Sequence, residues 1–153
     1  MFICSYLFKS KMKIIYLAIF SLVTVGCAST TQITKYSHKN ELPQESARIY
    51  ILRPSIIGGG VKMKVFANDQ IVGNTGPKGY LCWDVKPGEY TLKTVAENID
   101  FFKIYAKAGK TYFIQQKTKS GIFFSRSSLE ILEEKEGRAL LLKLKPPQLK
   151  YTE

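Results

Sequence analysis

From Ser46 onward, turn residues cut the chain into apolar runs too short and too closely spaced for helices. Arg48-Ile49-Tyr50-Ile51-Leu52-Arg53 is rich in β-formers and stops at Pro54. Val61, Met63, Val65 and Ala67 fall on one face of an alternating run. Asn68-Asp69 then turns the chain and Gln70-Ile71-Val72-Gly73 continues it, which predicts a hairpin. Tyr80-Leu81-Cys82-Trp83-Asp84-Val85 is a further strand, and Lys86-Pro87-Gly88-Glu89 turns into Tyr90-Thr91-Leu92-Lys93-Thr94-Val95-Ala96. Phe101-Phe102-Lys103-Ile104-Tyr105, Thr111-Tyr112-Phe113-Ile114-Gln115-Gln116, Gly121-Ile122-Phe123-Phe124-Ser125 and Ser128-Leu129-Glu130-Ile131-Leu132 repeat the rhythm. The expectation is an all-β domain over residues 46–145, an antiparallel β-sandwich of about seven to nine short strands.

Residues 133–143 fit either a short helix or a last strand. The acids at the start favour a helix and Gly137 weakens it; a short C-terminal helix is the expectation. Pro146-Pro147 ends regular structure, leaving 146–153 as a loose tail. Several strands are apolar on both faces: Tyr50 and Leu52 lie opposite Ile49 and Ile51, and Phe113 lies opposite Tyr112 and Ile114. Something must cover the second face: another sheet, the C-terminal helix or a partner. Phe101, Phe102, Phe123, Phe124 and Arg126 lie where aromatics exceed what a small core needs, and they form the candidate binding face.

Ahead of this domain the chain changes character. Lys11 and Lys13 precede an uncharged run at residues 14–25, followed by Gly26 and Cys27. That is the layout of an export signal. The run is shorter than the roughly 20 residues a membrane span requires. Val23-Thr24-Val25-Gly26-Cys27 resembles the lipobox of bacterial lipoproteins, with Thr24 where Leu is usual. The resemblance implies removal of residues 1–26, with Met12 an alternative start, and a covalent diacylglycerol and acyl chain on Cys27. Ala28 after the Cys implies sorting to the outer membrane, facing the periplasm. The plainer alternative is a secretory signal beside a chance Cys. Residues 27–45 are polar and read as a flexible tether.

Residues 27–153 are one domain by size. They carry 20 basic against 12 acidic side chains, a net charge of +8. That balance suits anionic partners such as lipopolysaccharide or peptidoglycan; scattered surface lysines explain it equally well. Nucleic acid is not an expected partner in the periplasm. With Cys27 acylated, Cys82 has no disulfide partner and reads as a small buried hydrophobe. Cys82 and His38 are too few soft ligands for a structural zinc site, and no cofactor or other metal is expected. Ala108-Gly109-Lys110-Thr111 mimics the end of a phosphate loop, but Ile104 stands where that loop needs Gly and a strand follows, so it reads as a β-turn. The single His lies in the presumed tether, so no catalytic triad is legible.

The ordered set Arg48-Ile49-Tyr50, Arg53-Pro54, the turn near Asn68-Asp69, Pro87-Gly88-Glu89-Tyr90-Thr91-Leu92 and Ala108-Gly109-Lys110-Thr111-Tyr112 resembles an uncharacterised family of small bacterial lipoprotein β-domains. More loosely it resembles PEGA-type surface domains. The resemblance implies a β-sandwich at the envelope and carries no catalytic residues. The functional expectation is a non-catalytic binding or structural lipoprotein, with an envelope protein, peptidoglycan or lipopolysaccharide as partner. A hydrolase of envelope polymers and an immunity or inhibitor lipoprotein are the alternatives.

Overall fold

The structure, a computed structural model, describes residues 28–38, 40–58, 60–120 and 125–150. The expected signal, Cys27, Phe123, Phe124 and residues 151–153 lie outside them. In chain order the described residues form β1 (Thr31–Gln32), β2 (Ala47–Arg53), β3 (Met63–Ala67), β4 (Gln70–Thr75) and β5 (Gly79–Val85). There follow β6 (Gly88–Val95), β7 (Ile99–Ala106), β8 (Thr111–Ser120), β9 (Ser125–Leu132), α1 (Glu134–Leu141) and β10 (Gln148–Leu149).

The strands pair in two sheets. One has the order β10-β1-β4-β3-β6-β7 and the other β5-β2-β8-β9. Between them lies a core of Ile49, Ile51, Val65, Val72, Leu81, Trp83, Leu92, Ile104, Ile114 and Leu129. The β-sandwich is therefore as expected, with one correction. Both sheets are mixed, because β2 pairs parallel to β8 and β1 parallel to β10. A parallel pair needs a long crossover, and β3 to β7 supply it between β2 and β8. Alternation reports which face a residue takes, not the direction of its neighbour.

The expected hairpin is β3–β4. Asn68 and Asp69 take φ 47° and 64°, the doubly positive turn that matches strand twist and that these two residue types tolerate. The turn at Gly109 (φ 70°) is also as read, and its N–H donates to Ser46 O at 2.8 Å.

The second face of the β5-β2-β8-β9 sheet is apolar too. Tyr50, Leu52, Tyr80, Cys82 and Phe113 form a second cluster there, covered by Tyr36, Leu132, Leu140, Leu141 and Leu144. The cover is thus α1 and its flanks together with the N-terminal segment, which is why every residue of β2 is buried. Gly137 sits against Phe113; a Cβ there would lie 2.2 Å from the ring. The residue that weakens the helix intrinsically is the one that lets it approach the sheet.

The segment expected as a tether is part of the fold. Ala28, Thr30, Thr31, Gln32 and Ser37 are buried. Three glycines make the track for it: a Cβ at Gly73 would lie 2.3 Å from Thr31 O, at Gly76 2.0 Å from Ala28 O, and at Gly79 1.8 Å from Thr30 Oγ1. Gln32 then closes the free edge of β5. Its Nε2 donates to Cys82 O (2.6 Å) and its Oε1 accepts from Cys82 N–H (2.9 Å). The expected loose tail contributes as well. Gln148 N–H donates to Thr30 O (2.9 Å) and Lys150 N–H to Gln32 O (2.8 Å).

Candidate functional site

The two sheets differ in what covers them. No layer of the described chain packs on the outer face of β3-β6-β7. Successive side chains alternate between faces, so on β7 Ile99, Phe101, Lys103 and Tyr105 point outward. Ile99 is 58% exposed, Phe101 61% and Tyr105 59%. Phe101 stands opposite Lys93, and Lys93 opposite Phe66. One row across three strands is therefore aromatic, cationic, aromatic. The Lys93 ammonium lies 4.7 Å from the Phe66 ring centre and 2.6 Å from Asp69 Oδ1, which holds it flat against the sheet. Lys64 stands opposite Val95, and Val95 opposite Ile99, one row away. The result is an apolar stripe interleaved with Lys64, Lys93 and Lys103.

Of the expected binding face, Phe101 is at the centre of this stripe. Phe102 points the other way and packs against the inter-sheet core, so it is not part of the face. Arg126 is exposed on β9 and pairs with Lys119 of β8, in the sheet that does not carry the stripe. It lies beside the seam where Ser127 N–H donates to Asn98 Oδ1 (2.8 Å) and Leu129 N–H to Asp100 Oδ2 (2.8 Å). Phe123, Phe124 and Cys27 lie outside the described residues. Sequence reasoning missed Ile99 and Tyr105. Their spacing of two from Phe101 and Lys103 was the available signal.

A cleft of about 620 Å³ opens at one end of the sandwich, lined by Lys35, Glu41, Asn68, Gln70, Trp83, Asp84 and Tyr90 among others. Its best-placed acid is occupied. Arg48 grips Asp84 with Nε at 2.7 Å and Nη2 at 2.9 Å, and donates through Nη1 to Asn40 O at 2.8 Å. Both carboxylate oxygens of Asp84 are thus engaged by one guanidinium.

Behind the β5-β2 sheet face lies a ring cluster. Tyr36 and Tyr80 hydroxyls are 2.6 Å apart, and His38 Nδ1 is 2.9 Å from Tyr50 Oη. Cys82 is fully buried there, as expected, and burial pushes its thiol up to about 12. A thiol so placed stays protonated and unreactive at neutral pH. Among the described residues no three His, Cys, Asp or Glu side chains gather to hold a metal ion. No helix among them is long and apolar enough to cross a membrane.

Arg53 is a buried cation of another kind. Its Nη1 donates to Val61 O (2.9 Å) and Thr75 O (2.8 Å), and its Nη2 to Ile57 O (3.2 Å) and Gly58 O (3.0 Å). Burial lowers its pKa to about 10, which still leaves it charged at neutral pH. It serves as a peg that fastens the loop after β2.

Residues 43–129 match the model of a family described as protein of unknown function (DUF2846). An uncharacterized protein of Haemophilus influenzae (strain ATCC 51907 / DSM 11121 / KW20 / Rd) is 32% identical over 123 residues, covering 79% of this chain and 73% of that protein. The family match begins after the N-terminal segment and ends within β9.

Proposed function

The chain belongs to the DUF2846 family, and from that premise we propose a membrane-anchored envelope lipoprotein whose β-domain binds an anionic envelope component. No reaction travels with the family's description. The lipobox-like residues before Cys27 support the anchor. The observation that carries the binding role is the outward stripe of Ile99, Phe101 and Tyr105 on a sheet face with no described cover. Flat aromatic and aliphatic groups supply contact area with little rotamer cost, and Lys64, Lys93 and Lys103 supply charge. Peptidoglycan and lipopolysaccharide combine ring surfaces with negative charge and suit such a face. The Arg48 grip on Asp84 supports a binding role over a hydrolytic one.

Palmitate labelling of wild type and Cys27→Ala tests the anchor; label on both, or on neither, overturns it. Retention on purified peptidoglycan and lipopolysaccharide tests the face. Phe101→Ser with Tyr105→Ser is expected to weaken retention at least about tenfold, since central aromatics dominate such contacts, with thermal unfolding unchanged. Equal retention of the double variant overturns the assignment of this face.

A further inference from the structure

We infer that the end of the sandwich around Ala28 docks directly on an anionic lipid surface, with the domain standing end-on rather than hanging from a spacer. This rests on the proposed acylation of Cys27. A flexible leader would let the domain roam, but Ala28 is already buried on the Gly76 backbone. A peptide bond holds the Cα atoms of Cys27 and Ala28 about 3.8 Å apart, so acyl chains on Cys27 bring this end of the domain to the head groups.

The surface there is suited to that position. A recess of about 420 Å³ beside Ala28 is lined by Ile56, Pro77, Lys78, Lys145 and Pro146, among others. Ile56 is 66% exposed and Ile57 46%, although Arg53 pins the carbonyl of Ile57 in place. Two isoleucines held out from a fastened loop are what an interfacial contact needs. Lys78 and Lys145 are both exposed, and Lys145 N–H donates to Lys78 O at 2.7 Å. The segments that build this rim, residues 28–30, 54–58, 76–79 and 145–150, contain no acid. Among the described residues of this rim, phosphate head groups therefore meet cations and no carboxylate.

The test uses the acylated chain in vesicles of phosphatidylglycerol and phosphatidylcholine. A nitroxide is placed at Ile57→Cys, or at Lys107→Cys on the turn at the far end of β2. Buried Cys82 leaves either site singly labelled. The Ile57 label is expected to be shielded from a water-soluble nickel relaxant and reached by oxygen, and the Lys107 label the reverse. Lys78→Glu with Lys145→Glu is expected to return the Ile57 label to water by about tenfold or more in relaxant accessibility, given the pull each lysine feels near an anionic surface. The protein stays vesicle-bound through its lipid. Both labels equally aqueous on a protein whose mass confirms acylation overturns the end-on docking alone. A mass showing bare Cys27 overturns the anchor, and the docking with it.

Discussion

Gln32 does with one side chain what a further strand would otherwise do for β5. Its amide presents a donor and an acceptor to the carbonyl and N–H of Cys82 at a sheet edge, with no exposure to water. Gln32→Leu keeps the volume but strands Cys82 N–H, leaves Cys82 O only the longer bond from Ser37 N–H (3.4 Å), and removes the donor to Thr34 O and Lys35 O. Each buried group left unpaired costs about 1–3 kcal/mol, so urea unfolding of this variant is expected to show about 2–4 kcal/mol lost; a change below about 0.5 kcal/mol would refute the role. Nothing in Thr30-Thr31-Gln32 announced this. A polar stretch without period reads as a tether, and its burial has meaning only once the open edge of β5 is known. Cys82 was legible, because a lone Cys within apolar strand sequence has few other places to go. Its thiol makes a pH prediction. The folded pKa, about 12, stands above the ordinary 9.0. Between them the unfolded chain has lost a proton that the folded chain keeps, so this contribution is fully present below pH 9 and falls as pH rises toward 12, by about 1.4 kcal/mol per pH unit. Buried Tyr36, Tyr50 and Tyr80, all raised chiefly by burial, add to the fall above pH 10. Arg53, lowered by burial to about 10 from 12.5, acts in the opposite sense there. The denaturation midpoint is expected to decline as pH rises above 9, and Cys82→Ala to remove the decline between 9 and 10.

At the scale of elements, backbone proximity decides what propensity cannot. Gly137→Ala in an exposed helix would gain up to about 1 kcal/mol. Here the new Cβ would meet the fully buried Phe113 ring at 2.2 Å, and overpacking costs typically 1–3 kcal/mol. The substitution is therefore expected to lower the melting temperature; a rise would show that α1 does not bear on Phe113 as described. Gly76→Ala attacks the other cover. Its Cβ would displace Ala28 O, so residues 28–38 are expected to become the first site of limited proteolysis, while β2 and β8 stay resistant. The strands were readable because alternation and turn chemistry are local. The hairpin at Asn68-Asp69 follows from two residues that accept positive φ. The parallel pairs and β1 were not readable, since partner direction and the glycine track are relations between segments far apart in sequence.

Over the whole molecule, the two sheets carry unequal protection. The β5-β2-β8-β9 sheet lies between the core and the cover of α1 with the N-terminal segment, whereas the face holding Ile99, Phe101 and Tyr105 is open. The division also separates roles: two-sided burial of β2 and β8 fixes the scaffold, so the outer face of β7 can keep residues that contribute little to stability. This asymmetry explains why two-sided apolar strands signalled a cover correctly, while the stretch containing Phe101 and Phe102 split between exterior and core. Native-state hydrogen exchange can separate the two regimes, because amides in the best-buried strands open only with global unfolding while edge elements open locally. Amides of residues 49–52 and 113–115 are expected to exchange with the full unfolding free energy. Those on the open edge of β7 and in β10 are expected to exchange at a small fraction of it. Phe101→Ser should leave both classes unmoved, because its ring lies outside the packed layers; a shift of the β2 amides on that substitution would mean that the stripe is part of the scaffold and not a surface held ready for contact.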